Sequence, residues 1–177
     1  MSRHYNFKYE SKVIILVGNI GSGKSTYVKS KEEDYVVISR DKTRYMLGNG
    51  NYVFISELEA SVWAAEQAIF NNLLDTKINI IIDETNMSDS SRERYIKEAR
   101  KAGYEISIAV FPKIPMEESI QRRISSNHGE FSKETWEVVW KNFDDKYVEP
   151  SFKEDVDYII QVDNSNFEIK ETIVSRT

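Results

Sequence analysis

The sequence contains no cysteine, two histidines, three prolines and seven glycines among 177 residues. Without cysteine there is neither a disulfide nor a thiolate metal site, and two histidines far apart in sequence do not make a His-rich one. No apolar stretch approaches the length that crosses a bilayer, and Met1-Ser2-Arg3-His4-Tyr5 lacks the apolar run of a secretory signal. A cytoplasmic location with no membrane partner is therefore expected. The formal net charge of −5 opposes nonspecific coating of nucleic acid, which needs a broad cationic surface. It leaves room for a few local arginines that grip one strand end. No repeat, low-complexity tract or linker interrupts the chain, so a single domain over residues 1–177 is expected, with a small lid at about 115–135.

What the sequence does have is ordinary globular composition, 40% hydrophobic and 30% charged, arranged as apolar runs alternating with helix-like segments. Val13 to Val17, Tyr35 to Ile38, Ile78 to Ile82, Ile106 to Phe111 and Tyr158 to Val162 read as buried strands. Runs this apolar, rather than alternating, suit a parallel sheet covered on both faces. Ser56 with Glu59 makes a capping-box pattern, followed by Leu58, Val62, Ala65, Ile69 and Leu73 at helical spacing. Ser90 with Glu93 repeats it, in a segment that stops at Gly103. Pro115 opens a third helix running through Arg122 and Arg123, and a fourth runs from about Lys133 to Tyr147. The expected fold is thus α/β and three-layered, a parallel sheet of about five strands flanked by helices, with its ligand site at the carboxyl ends of the strands.

Gly18-Asn19-Ile20-Gly21-Ser22-Gly23-Lys24-Ser25 matches the phosphate-loop pattern G-x-x-x-x-G-K-[ST] at every fixed position, directly after the first strand. Glycines let backbone N–H groups converge on phosphate oxygens, and the following helix turns its N-terminus to the anion. The expected ATP-binding residues are Gly18 to Thr26. Lys24 would reach the β- and γ-phosphates, and the Ser25 hydroxyl would ligate Mg²⁺.

Two acidic strand ends follow. Asp41, in Ser39-Arg40-Asp41-Lys42-Thr43-Arg44, stands where a carboxylate can take a proton from an incoming hydroxyl. Arg44 lies on the same face and could fork onto a phosphate of the acceptor. The same hexad also reads as a helix N-cap with a surface partner. Asp83, in Asp83-Glu84-Thr85-Asn86, is the expected Walker-B-type carboxylate for Mg²⁺. Glu84 keeps open a hydrolytic ATPase in which the second acid activates water. Thr85 and Asn86 would fix the turn or meet the acceptor.

A lid cation is expected from Arg122 or Arg123, which precede the polar segment Ser125 to Glu130, although the helix dipole favours arginine there in any case. His128 reads as a solvated loop residue, and Arg92 and Arg94 as the solvated face of their helix. Trp136, Val139, Trp140 and Phe143 share one helical face and read as core rather than as a base-stacking platform.

In their order and context these motifs resemble the polynucleotide 5′-kinase family of phage and animal end-repair enzymes, over about Val13 to Val162. The phosphate loop, the R-D-x-x-R motif at Arg40-Asp41 to Arg44, the D-x-T-N motif at Asp83 to Asn86 and the close at Glu149 to Glu154 carry the likeness. The resemblance implies ATP and Mg²⁺ as cofactors and a 5′-hydroxyl end of DNA or RNA as acceptor. Asp41 would be the general base; Arg40, Arg44, Asp83 and Asn86 would serve the acceptor side. Two departures stand out. Ser125-Ser126-Asn127 replaces a second lid arginine of the family, and the D-x-D-x-T motif of a partner phosphatase domain is absent, so a kinase domain by itself is expected. A kinase for a small metabolite, nucleoside or modified base would use the same motifs.

Overall fold

The five apolar runs become five parallel strands: β1 (Lys12–Val17), β2 (Val36–Ile38), β3 (Ile80–Ile82), β4 (Glu105–Val110) and β5 (Tyr158–Asp163). A sixth strand, β6 (Lys170–Ser175), which the apolar pattern did not specify, pairs antiparallel with β5 and has all six residues exposed. The sheet is therefore mixed, in the order β2-β3-β1-β4-β5-β6. The computed structural model describes residues 6–126, 131–164 and 168–176. Met1 to Tyr5 and the expected loop histidine His128 lie outside the described residues.

Successive strand residues point to opposite faces, and each face meets its own helices. On one side Val13, Ile15, Ile80, Ile82, Ile106 and Ile108 pack under α3 (Ser56–Thr76) and α4 (Asp89–Lys101). On the other, Ile14, Leu16, Ile81 and Ala109 pack with Tyr27 and Val28 of α1 (Lys24–Lys31). A third cluster joins Ile20 of the phosphate loop to Ile120 of α5 (Met116–Ser125) and to Trp136 and Trp140 of α6 (Lys133–Asp144). The Trp136 and Trp140 stripe is core, as its spacing suggested, and it fastens the lid-side helices to the loop.

The chain leaves β1 for β2 and β3 on one side and reaches β4 on the other, so the end of β1 is the topological switch point. Ile38, Ile82 and Ile15 lie in register, which brings the residues after β2 and β3 level with the loop after β1. The Asp83 amide donates to the Ile38 carbonyl, and the Gly18 amide to the Thr85 carbonyl.

Several local expectations shift. Ser56 is the first residue of α3 rather than its cap, and its hydroxyl bonds to Glu57. The cap of α4 is Ser88, which accepts the Ser91 amide, not Ser90. Gly103 does follow the last turn of α4, at φ +75°. Pro115 is the N-cap residue of α5, one position before the helix. The buried face of α3 is Val62, Glu66, Gln67, Phe70 and Leu74, which leaves Leu58 and Ile69 exposed. Arg92 is the clearest correction. Far from being solvated, it is fully buried, pairs through two nitrogens with Glu154, and donates to the Asn86 and Val148 carbonyls. A buried guanidinium with its donors matched ties the Asp83 turn to the segment before β5. Arg94 lies 4.4 Å from the ring centre of half-exposed Trp63.

Candidate active site

The phosphate loop takes its shape from backbone and is clamped from every side. Gly21 and Gly23 have φ of +70° and +97°, the left-handed region in which a Cβ is strained. At Gly21 a Cβ would also stand 2.7 Å from the Ser119 carbonyl oxygen. The Asn19 amide reaches the Trp140 carbonyl at 3.0 Å and its side-chain oxygen accepts the Ile20 amide. The Ser119 hydroxyl donates to the Ile20 carbonyl, Arg122 to the Gly21 carbonyl at 2.9 Å, and Asn164 to the Ser22 carbonyl at 3.0 Å. Ser22 is buried against Gly18. Sequence reasoning missed the roles of Ser119 and Asn164, because a bond to a distant carbonyl leaves no local pattern.

Gly23 caps α1 with no side-chain acceptor, and no acid lies in the first turn. An uncapped N-terminus beyond a glycine loop suits a phosphate. Ser25 and Thr26 stand exposed on that first turn. Lys24 is partly buried and turns its ammonium to the Gly18 and Asn19 carbonyls, at 2.7 and 2.9 Å. Desolvation lowers it to about 8, against the opposing charge of Asp83. Burial in turn pushes the Asp83 carboxyl up to about 6, with Lys24 pulling it down. A cation beside Asp83 favours its ionised form. Among the described residues no three of His, Cys, Asp and Glu form a metal cluster. One hydroxyl and one carboxylate, with the remaining oxygens left to phosphates and water, is a donor set that fits Mg²⁺.

Across the strand ends, α2 (Arg40–Leu47) carries Arg40, Asp41 and Arg44, three of the residues expected on the acceptor side. Asp41 lies in its first turn, so the N-terminal placement is real, but its side chain is held in a charged network. Its Oδ1 accepts Arg44 Nη1 at 2.7 Å and the Tyr52 hydroxyl at 3.2 Å; its Oδ2 accepts Arg123 Nη2, from α5, at 3.2 Å. Burial and then the Asp41 charge push the Tyr52 phenol up to about 12, so it stays a donor. Arg44 is also forked by Glu59 through Nε and Nη2 at 2.9 and 2.5 Å. Burial works against its charge, but Glu59, Tyr52 and Asp41 outweigh burial and hold its pKa above the ordinary value. Tyr52 and Glu59 were not anticipated; Glu59 was read as half of a capping box.

The two arginines expected of a lid divide. Arg122 holds the Gly21 carbonyl and Glu118 and is half-exposed, whereas Arg123 lies over the Trp136 ring at 4.9 Å and reaches Asp41. Glu84 is engaged as well: its Oε1 accepts the Arg40 amide at 2.5 Å and its Oε2 pairs with Arg40 Nη2 at 2.8 Å. Behind it, Glu66 is fully buried and accepts the Tyr95 hydroxyl at 3.0 Å. Asn86 is buried at φ +43°, and its amide donates to the Leu16 carbonyl. It forms the turn, and its amide does not line the acceptor corner.

No helix among the described residues is long and apolar enough to cross a membrane. The fold is that of P-loop kinases and supports nucleotide binding. One similar curated protein is a putative bifunctional polynucleotide phosphatase/kinase of Acanthamoeba polyphaga mimivirus, 29% identical over 161 residues, which are 88% of this chain and 34% of that one. The chain thus spans about a third of that relative's length. A chain of the Pnkp1/Rnl/Hen1 RNA repair complex is 28% identical, with a TM-score of 0.59, over 83% of this chain and 49% of its own. A chain of the PezAT chromosomal toxin–antitoxin system of Streptococcus pneumoniae shares the fold at 17% identity, with a TM-score of 0.63, over 90% of this chain and 69% of its own. The resemblance read from the motifs thus recurs in two similar proteins named for polynucleotide kinase or RNA repair. The family described as AAA domain matches residues 13–150, most of the sequence and all of the loop, the acidic strand ends and the lid arginines, and the chain belongs to that family.

Proposed function

We propose that the chain is an ATP-dependent kinase that transfers the γ-phosphoryl group to the 5′-hydroxyl end of DNA or RNA. The observation that carries this reading is the meeting at Asp41 of a lid arginine from α5 with two donors from the α2–α3 corner, on the same sheet edge as the phosphate loop.

Lys24 and the loop amides bind the phosphates. Ser25 and Asp83 would hold Mg²⁺, which supplies neutralisation of phosphate charge when bound. Asp41 accepts the proton of the incoming hydroxyl. A carboxylate that already accepts from Arg44, Tyr52 and Arg123 is a poor base, so one donor has to leave. Arg123 is the one that can be drawn off, because the γ-phosphoryl group offers it a stronger anion. Its movement onto that group withdraws one donor from Oδ2, which raises the basicity of the carboxylate, and puts a cation where charge develops. Arg122 keeps the loop in shape through the Gly21 carbonyl. Arg44 stays forked on Glu59, yet its guanidinium has five N–H donors, and those not spent on Glu59 and Asp41 remain for a phosphate next to the acceptor end.

Glu84 speaks against the ATPase alternative. A carboxylate that holds both the amide and the guanidinium of Arg40 is placed to fix α2, not to activate water. A small-molecule acceptor would use the same Asp41. The similar proteins named for polynucleotide kinase and RNA repair favour the nucleic-acid end.

The direct test is transfer from γ-labelled ATP with Mg²⁺ to short 5′-hydroxyl DNA and RNA oligonucleotides, with nucleosides alongside and Lys24→Ala as control. Label at oligonucleotide 5′ ends, lost in the variant, is the expected result. Label only in nucleosides, or only free phosphate, would overturn the reading.

A further inference from the structure

One exposed aromatic ring, that of Phe54, stands beside the Asp41 network. Phe54, in the loop between α2 and α3, is 52% exposed, although its ring belongs to an aromatic series whose other members are partly buried Phe131 and buried Trp136. Its ring meets Phe131 edge-on, centres 6.1 Å apart, and Phe131 meets buried Trp136 in the same way at 5.3 Å. Phe54 is thus fixed in place by the lid-side core while about half of it faces solvent. The Arg44 guanidinium lies 5.4 Å from the Phe54 ring centre, and the same guanidinium donates to Asp41. A flat apolar surface therefore sits one side chain away from the carboxylate that takes the hydroxyl proton, with the Arg44 guanidinium between them.

Burying a half-exposed phenylalanine is favourable, so its exposure in a built aromatic series calls for an occupant. A ring beside a cation suits a group with a π-face carried on an anionic chain, which is the chemistry of a nucleotide: base on the ring, phosphodiester on the Arg44 N–H groups not spent on Glu59 and Asp41. We propose that Phe54 is the stacking platform for the 5′-terminal nucleobase of the acceptor strand. This rests on the kinase reading above and adds a base subsite to it. Stacking uses the face that every base has, so the subsite favours a base-bearing end without selecting its sequence. It is consistent with the reading of the Trp136 stripe as core: the half-exposed ring belongs to Phe54, in a loop.

The test compares Phe54→Leu, which keeps apolar contact with Arg44 and Phe131 but lacks a π-face, and Phe54→Trp, which enlarges it. Acceptor KM is measured with oligonucleotides whose 5′-terminal residue carries a base or is abasic. Phe54→Leu should raise KM for the base-bearing acceptor by ~10-fold and leave the abasic acceptor nearly unmoved, with Phe54→Trp at or below the wild-type value. Equal rises for both acceptors, or none, would overturn the subsite while the kinase reading stands. A second readout separates the two ideas: a 5′-hydroxyl oligonucleotide with 2-aminopurine, whose emission is quenched by stacking, at its first position. If the wild type transfers no phosphate to oligonucleotides but quenches this probe, and Phe54→Leu does not, the kinase reading falls and the stacking surface remains. Absence of quenching by the wild type would remove the subsite.

Discussion

The phosphate loop and the proposed acceptor corner sit on one sheet edge but are built from different materials. The loop is held by neutral contacts: Ser119, Asn19 and Asn164 to backbone or from it, with Ile20 packed into an aromatic core. The charged groups that act there, Arg122 and Lys24, also bond to its carbonyls. The acceptor corner is almost entirely charge on charge, with Asp41, Arg44, Glu59 and Arg123 in one network and Arg40 and Glu84 in another. Its partners come from α2, α3, α5 and the end of β3. A loop set by backbone has one shape. A corner set by ion pairs can exchange partners, which is what a base that must release a donor requires.

The sharpest way to break this comparison is Asp41→Asn. It keeps the size of the side chain and leaves the loop alone, so transfer should fall by ~10²-fold or more while nucleotide affinity hardly changes. Single-turnover transfer beside a nucleotide-binding titration would check it. Near-normal turnover would sink the base assignment. The matching test of the loop is Gly21→Ala, in which the added Cβ meets Ser119 backbone that cannot swing away, and a positive φ that costs ~1–2 kcal/mol by itself. Nucleotide affinity should drop by ~10-fold or more. If acceptor KM moved instead, the division between the two halves would be wrong.

The difference in materials also explains what could be read from sequence. The loop is a contiguous pattern whose residue types are dictated by backbone geometry, so Gly18 to Ser25 was legible as a unit. The strands were legible because both of their faces are covered. The acceptor corner was legible only where its residues lie close in sequence, as Asp41 and Arg44 do. Glu59 and Arg123 are drawn to that pair from 15 and 82 positions away along the chain. Arg92 was misread for the same reason: nothing beside it announces Glu154, 62 positions on. The face of α3 was misjudged because Glu66 and Gln67, polar by type, are buried with Tyr95, while Ile69 is exposed.

Glu84→Gln sharpens the comparison within the corner. The amide retains an oxygen for the Arg40 N–H but loses the charge that pairs with the guanidinium. Transfer should fall by less than ~10-fold, the cost of a weakened hydrogen bond at one remove from the chemistry. A loss as deep as that of Asp41→Asn, accompanied by loss of ATP turnover without acceptor, would restore Glu84 as an activator of water.

The smallest expected effect concerns stability and again separates the two halves. Burial, and after it the neighbouring Glu84 charge, pushes the Glu66 carboxyl up to about 7, against Arg40 and the Tyr95 hydroxyl. Its folded pKa lies above the unfolded value of 4.5, so the protonated form favours the native state. That contribution is full below about pH 4.5, declines as pH rises through the interval to about 7, and is gone above it. Glu66→Gln, fixed in a neutral form, should therefore gain on the wild type by ~1 kcal/mol or more at pH 8 and by little at pH 4.5. Urea midpoints at the two pH values measure this. A constant difference between variant and wild type would mean that Glu66 stays ionised beside Arg40, and that the charged corner is held by one more full ion pair than its burial suggests.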